Sequence, residues 1–486
     1  MNDHKISKIS FIIAVFFSSA TIAPNLLAAP LATPSAGTPL NISALPASLL
    51  RTQLEALPNT DARLRALSKL QSMNISKADL AYLNVTNNGN VYFVDTFLPP
   101  ASNAMSVTNP DNTPATAAML ASTFTLHSKP GATQVMYLDF DGQTITNTDW
   151  NNWQGIEKWE AQAFDSDGDP MHFSSNELST IKSIWRRVAE DYAPFNVDVT
   201  TQQPSTFTSN TGHVLITPGV DKNGVLLPYG NASGGVAYVD VWGDSDFAYF
   251  NPAFVYSNML QNDAGFIAES ASHEAGHNLG LGHDNTSSQG YYPGHGSGYI
   301  SWAPIMGMAY GMHVSQWSKG EYPDAKNLQD DIAIITSKLT ERADDHSNTA
   351  SGATPLTVVA GKVTATTPVS DPKNQKPANK GVIESRTDVD VFSFSTTGGT
   401  ISLKALPLRE AINSRGGNLD IKMTISDAAN NILATKAPAT DTHSSITMSL
   451  GAGTYYVYIE GVGSNLSPYS DYGSLGQYFI SGTIPQ

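Results

Sequence analysis

Apolar residues recur along this chain with two periods, and the balance between them changes near Asp344. Upstream, helical spacing alternates with short period-two runs. Leu50, Leu54 and Leu57 form one helical stripe; Leu64, Leu67 and Leu70 form a second, behind Thr60 or Asp61 as a cap. Val85 and Val91-Tyr92-Phe93-Val94 flank Asn88-Gly89, which predicts a hairpin. Val135 to Phe140, Phe195 to Thr200 and Val214 to Thr217 read as strands. Ile181, Ile184, Trp185 and Val188 line one face of a helix, and Leu328, Ile332, Ile335 and Leu339 predict another from Asn327 to Leu339. A glycine-led strand, Gly234 to Val241, precedes a helix of small apolar residues that includes Phe266, Ile267, Ala268, Ala271 and Ala275, capped by Asn262 or Asp263. Beyond Asp344 helical periodicity fades. Val389 to Phe394, Thr400 to Leu403, Leu419 to Ile425 and Thr454 to Ile459 are strands separated by Thr, Ser and Gly turns, a spacing that suits an antiparallel β-sandwich. The expected fold is α+β with long helices, followed by that sandwich.

Length and charge narrow the picture. A chain of 486 residues exceeds one ordinary domain. A net charge of −16 argues against nucleic acid or an anionic membrane surface as partner. There are no cysteines, which excludes disulfides and thiolate chemistry. Lys5 and Lys8 precede a short apolar run, Ile9 to Phe17, and Ala28-Ala29 offers small residues for cleavage. Residues 1–29 therefore read as a signal peptide, and the protein as secreted, with no membrane insertion. Residues from about 30 to 47 and from Pro99 to Thr123 are rich in Ala, Pro, Ser and Thr, as spacers are.

The chemistry concentrates in His273-Glu274-Ala275-Gly276-His277-Asn278-Leu279-Gly280-Leu281-Gly282-His283-Asp284. A helix turns about 100° per residue, so His273 and His277 face the same way, with Glu274 one step round. Gly280 tolerates a positive φ, ends the helix and brings His283 back as a third nitrogen. Three protein ligands with one open position suit a catalytic zinc ion. A lone H-E-x-x-H arises by chance on polar helices; the third histidine, the turn glycine and the trailing Asp284 are independent additions.

This pattern resembles the metzincin zinc peptidases, and the absence of cysteine sets the chain apart from the disulfide-bearing adamalysin and astacin branches. The resemblance is to bacterial reprolysin/adamalysin-like members and covers roughly residues 127–343. It implies a twisted mixed sheet, zinc held by His273, His277 and His283, Glu274 as general base, and protein or peptide substrates bound along the Gly234–Val241 strand. It also implies a methionine turn within Ser301 to Gly311, with Met306 preferred over Met308. Tyr310 is a candidate oxyanion helper, Asp284 and Gly280 support the turn carrying His283, and His295 is either a fourth ligand or an exposed loop histidine. Asp388 to Phe394, Asn418 to Ile421, Gly453 to Val457 and Tyr469 to Gly473 resemble the bacterial pre-peptidase C-terminal domain, over residues 344–486.

A small folded unit and tether ahead of a peptidase read as a propeptide, residues 30–126. With no cysteine available, latency must use an acidic or backbone ligand, and Asp95, expected at a solvent-accessible strand end, is the candidate. Calcium is a second expected cofactor, at Asp165-Ser166-Asp167-Gly168-Asp169. The twelfth-position glutamate of a calcium loop is missing, which favours an acid-rich turn. The competing reading of the whole chain is a secreted adhesin or binding protein with a zinc ion but no catalysis.

Overall fold

The computed structural model describes residues 41–73, 76–96, 98–99, 113–410 and 416–486. The signal-peptide expectation, and the larger part of both spacers, lie outside these residues. Among the described residues no helix is long and apolar enough to cross a membrane.

A seven-stranded twisted sheet carries the centre of the molecule. Its order is Leu83–Val85, Val91–Asp95, Gly235–Tyr238, Ala253–Tyr256, Thr211–Thr217, Gln134–Asp139, Val197–Thr200. The last four strands run parallel, and Gly235–Tyr238 is antiparallel to its neighbours. Helices Ser175–Asp191 and Ala264–Leu279 pack together against this sheet, and their apolar faces join one core with Met136, Leu138, Val214, Ile216 and Phe254. The first helix opens with a reciprocal capping box, Ser174 with Glu177. The second is capped by Asp263, worth about 1 kcal/mol.

The N-terminal residues do not stand apart. Helices Leu49–Ala56 and Thr60–Ser72 share a small core with Leu83, Val91, Phe93 and Val239. The hairpin at Asn88-Gly89 is present, and its second strand pairs with Gly235–Tyr238. Asp149 gathers that hairpin: it accepts from Thr86 Oγ1 (3.3 Å), Asn88 Nδ2 (3.2 Å), Asn90 Nδ2 (2.7 Å), Tyr238 OH (2.9 Å) and Tyr249 OH (3.1 Å). Two expectations shift. The second helix is capped by Asn59 and buries Ala62, Ala66 and Leu70, leaving Leu64 59% exposed. The helix expected from Asn327 starts at Asp331, because Asp330 caps it, and Leu328 points to solvent.

Beyond Asp344 two sheets face each other across a core that includes Phe392, Ile401, Leu403, Ile421, Ile425, Val457, Ile459 and Ile480. Apart from Thr354–Pro355, their strands pair antiparallel. This sandwich docks on the end of helix Ser175–Asp191. Arg186 forks onto Glu410 at 2.6 and 2.7 Å. Glu190 accepts from the backbone of Gln477 (3.1 Å) and Asn418 (3.5 Å) and from Gln477 Nε2 (2.9 Å).

Burial outweighs those donors and raises Glu190 from 4.5 to about 8. An acid raised on folding contributes most below its unfolded value and loses that contribution as pH climbs through its folded value. Stability should therefore fall between about pH 4.5 and 8. Thermal melts across this range should show the decline, with a flatter profile in Glu190→Gln; equal slopes would remove Glu190 as the cause.

Candidate metal centre

Helix Ala264–Leu279 carries His273, Glu274 and His277, all buried. Gly280, at φ 111°, ends it and accepts no side chain's strain, so the chain doubles back through Leu281. His283 then lies beside the other two: the three imidazole centroids are 4.8, 4.9 and 5.3 Å apart.

Backbone contacts fix two tautomers. His273 Nδ1 lies 2.9 Å from Ile305 O, and His277 Nδ1 lies 2.8 Å from Leu281 O. A carbonyl only accepts, so each Nδ1 carries the hydrogen and each Nε2 presents a lone pair. His283 Nδ1 faces Asp79 Oδ1 at 3.3 Å. This carboxylate comes from the N-terminal unit.

The three Nε2 atoms converge on one more group from that unit, Asp95. Its Oδ1 is 2.9 Å from His283 Nε2, and its Oδ2 is 3.2 Å from His277 Nε2 and 3.3 Å from His273 Nε2. Tyr291 OH donates to Oδ1 at 2.9 Å. Asp95 is 6% exposed, not solvent-accessible as its strand-end position suggested, because the strand carrying it is covered. Asp95, His273, His277 and His283 offer ligand atoms within 4.8 Å of one another. The Nε2 lone pairs of His273 and His277 face that carboxylate without hydrogens to share, and a cation among the four ligand atoms satisfies them. The donor set, three nitrogens and an oxygen with oriented rings, fits zinc. Burial lowers His277 to about 4, keeping it neutral as a ligand must be, whereas Asp95 and Asp79 outweigh burial at His283 and raise it to about 9.

Glu274 is fully buried and no hydrogen-bond donor reaches either oxygen. Burial first, then the Asp95 carboxylate, pushes it well above the usual carboxylate range. It needs the glycine opposite: a Cβ at Gly235 would sit 2.0 Å from Glu274 Oε1. Gly276 is required in the same way, since a Cβ there would meet Met306 Sδ at 2.6 Å. Met306 thus packs directly under the turn of helix between His273 and His277, and its carbonyl accepts from Asp284 N at 2.8 Å. Asp284 Oδ1 accepts from Tyr322 OH at 3.1 Å, tying the His283 turn to a second loop. Met308 is not placed at Gly276. Tyr310 lies against Phe266, their rings tilted with centroids 5.0 Å apart, and lines the cleft with His273, Glu274, Gly235 and Asp95. With Asp95 in place this cleft offers about 20 Å³, room for roughly one water.

His295 is elsewhere. Its Nδ1 meets Tyr292 OH and its Nε2 meets Pro468 O, each at 2.9 Å, so it belongs to the contact with the C-terminal sandwich. The Asp165–Asp169 stretch also resolves as a turn: Asp165 Oδ1 accepts from Gly168 N (2.7 Å) and Asp167 N (3.1 Å), while Glu177 caps the following helix. Calcium finds no support there.

Asp79, Phe93 and Tyr291 were not visible as site residues. Phe93 stacks on His277 at 4.2 Å, and Tyr82 meets His283 edge-on at 5.2 Å. Phe93 falls in the hairpin around Asn88-Gly89 that the sequence predicts; Asp79 and Tyr291 lie outside it.

No curated protein matches the chain. Among solved structures, it is similar to the pre-peptidase C-terminal domain of a collagenase from Bacillus anthracis, at 18% identity over 21% of this chain and 82% of that one, with a TM-score of 0.15. A family GH115 4-O-methyl-α-glucuronidase also matches, at 18% identity over 21% of this chain and 14% of the enzyme, with a TM-score of 0.11. Scores this low bear on neither fold nor activity. Residues 180–284, from helix Ser175–Asp191 to the end of the histidine turn, match the metallo-peptidase family M12B, reprolysin-like. The segment that builds the three-histidine cluster is therefore similar to the reprolysin-like metallopeptidases of family M12B, which supports a zinc-dependent protease.

Proposed function

We propose that the chain is the precursor of a secreted zinc endopeptidase, with His273, His277 and His283 as metal ligands, Glu274 as general base, and residues 30–126 as a propeptide whose Asp95 holds the site closed. The observation that carries this reading is the meeting of three Nε2 atoms on one carboxylate delivered by an edge-paired strand.

Tyr92 to Asp95 pair antiparallel with Tyr238 to Gly235. An edge strand recognises an extended peptide through its backbone, so a substrate can take the same place once the prosegment leaves. Bound zinc supplies Lewis acidity and lowers the pKa of its water to about 7. Glu274, dry and without a donor, takes the proton from the attacking water and passes it to the leaving amine. Tyr310, lining the cleft, donates to the developing oxyanion. Met306 and Asp284 hold the helix and turn in register from below.

The rival reading, a zinc-bearing adhesin, gives no role to a buried carboxylate beside the ligands. The two separate on casein. The processed protein should hydrolyse it, a chelator should stop it, and His283→Ala should lose the metal by elemental analysis. Metal retained at parent stoichiometry in His283→Ala would refute the ligand set. Lys5, Lys8 and the apolar run to Phe17 support export.

A further inference from the structure

The three histidines are not oriented alike. His273 Nδ1 rests on Ile305 O and His277 Nδ1 on Leu281 O, so the peptidase segment fixes both rings by itself. Among the described residues no backbone carbonyl serves His283 in this way. Its Nδ1 instead faces Asp79 Oδ1 at 3.3 Å, a charge contact with a carboxylate of the N-terminal unit.

Asp79 is held where it is. It is 1% exposed, on the single helical turn Asp79–Ala81. Its Oδ2 accepts from Ser76 N at 2.8 Å. Asn285 Nδ2, two residues beyond His283, lies 2.7 Å from Ser76 Oγ, 3.0 Å from His283 O and 3.4 Å from Asp79 Oδ1. That amide fastens the Asp79 turn to the His283 turn. Tyr82, which ends the helical turn, adds its edge-on contact with the imidazole. Taking a carboxylate out of water is costly unless a partner charge is at hand. Shutting the cleft does not call for it, because Asp95 already reaches all three Nε2 atoms. Asp79 stands behind the ring, at the nitrogen that a metal ion on Nε2 leaves unused.

We propose, on the reading of His273, His277 and His283 as zinc ligands, that Asp79 is a positioning residue for His283, and that through it the N-terminal unit strengthens zinc binding by the uncleaved chain besides closing the cleft. An ionised carboxylate only accepts, so it favours the hydrogen on Nδ1 and leaves the Nε2 lone pair for the metal. It also makes that nitrogen more basic and limits rotation of the ring. A second negative charge near the ion adds attraction where water screens little. The unit that shuts the cleft thus also retains the metal in it.

The test uses the full uncleaved chain. Zinc dissociation constants are measured by competition with a chromophoric chelator for the parent, Asp79→Asn, Asp95→Asn and the double variant, each checked for its fold by circular dichroism. Asparagine keeps an acceptor for Ser76 N and removes the charge. Asp79→Asn should weaken zinc binding about 10–100-fold, the usual loss for a carboxylate behind a ligating histidine. That loss should persist in the Asp95→Asn background, since the two carboxylates act on opposite nitrogens of the ring. Asp79→Ala, which cannot crowd the turn, replaces Asp79→Asn if the latter does not fold, and should lose at least as much. Parent-like affinity in the Asp79 variant would overturn the assignment. So would a loss that disappears once Asp95 is replaced, because Asp79 would then act only by seating the N-terminal unit. A parent chain that takes up no zinc would refute the ligand set, and the role of Asp79 with it.

Discussion

Glu274→Gln, measured on protein freed of its N-terminal unit, is expected to keep the fold and the zinc while losing about 2–4 orders of magnitude in peptide hydrolysis, the usual worth of a positioned general base. The substitution preserves volume, and no donor hydrogen bond is broken, because neither carboxylate oxygen has one. Gly235 leaves room for the amide as it does for the carboxylate. What disappears is a group able to take a proton. Single-turnover hydrolysis of a quenched peptide, with zinc measured on the same sample, separates the alternatives. A parent-like rate would strip Glu274 of its role and favour a structural ion.

Asp95→Ala in the uncleaved chain should have the next largest effect, and in the opposite direction. Asp95 meets three imidazoles and accepts from Tyr291, in a place closed to solvent. Removing one partner from a buried charged contact of this kind costs about 2–5 kcal/mol, which shifts the balance between closed and open cleft by about one and a half to three and a half orders of magnitude. Activity of the uncleaved variant should rise accordingly, short of the processed enzyme, because strand pairing and the Asp149 contacts remain. If the uncleaved parent and Asp95→Ala hydrolyse peptides equally, Asp95 is not what holds the site shut.

Much of the candidate centre was legible because it is local. His273, Glu274 and His277 share a helix face by spacing alone, and Gly280 announces its turn. Met306 was readable from its Pro-Ile-Met-Gly context, and the structure gives a physical reason for its neighbour: Gly276 is small because Met306 Sδ sits against it. The groups contributed from afar were harder to see. Asp79 and Tyr82 belong to a single helical turn and its cap, and nothing in their own neighbourhood reports that His283, some two hundred positions away, will face them. Tyr291 sits in a glycine-rich loop where His295 drew attention, yet the tyrosine turns inward and the histidine turns to Pro468. Asp95 was visible as a strand end but not as buried, since its covering depends on the antiparallel pairing with Gly235–Tyr238. The fold shows the same division. The helix stripes and β-runs were readable, whereas the start of the helix at Asp331 was set by Asp330 as cap and not by the apolar Leu328.

Under the proposed function, the strand Val91–Asp95 would also determine how inhibition ends. While it belongs to the same chain, it meets the cleft as an intramolecular partner, at an effective concentration independent of how much protein is present. A cut shortly after Asp95, before the next strand of the central sheet, would leave the Asp95 contacts to the histidines in place. It only turns an intramolecular partner into a separate molecule that has its own small core. Under the proposed function, the cut protein should stay inhibited where it is concentrated and become free as it disperses, so that dilution, and not the cleavage alone, would time its activity.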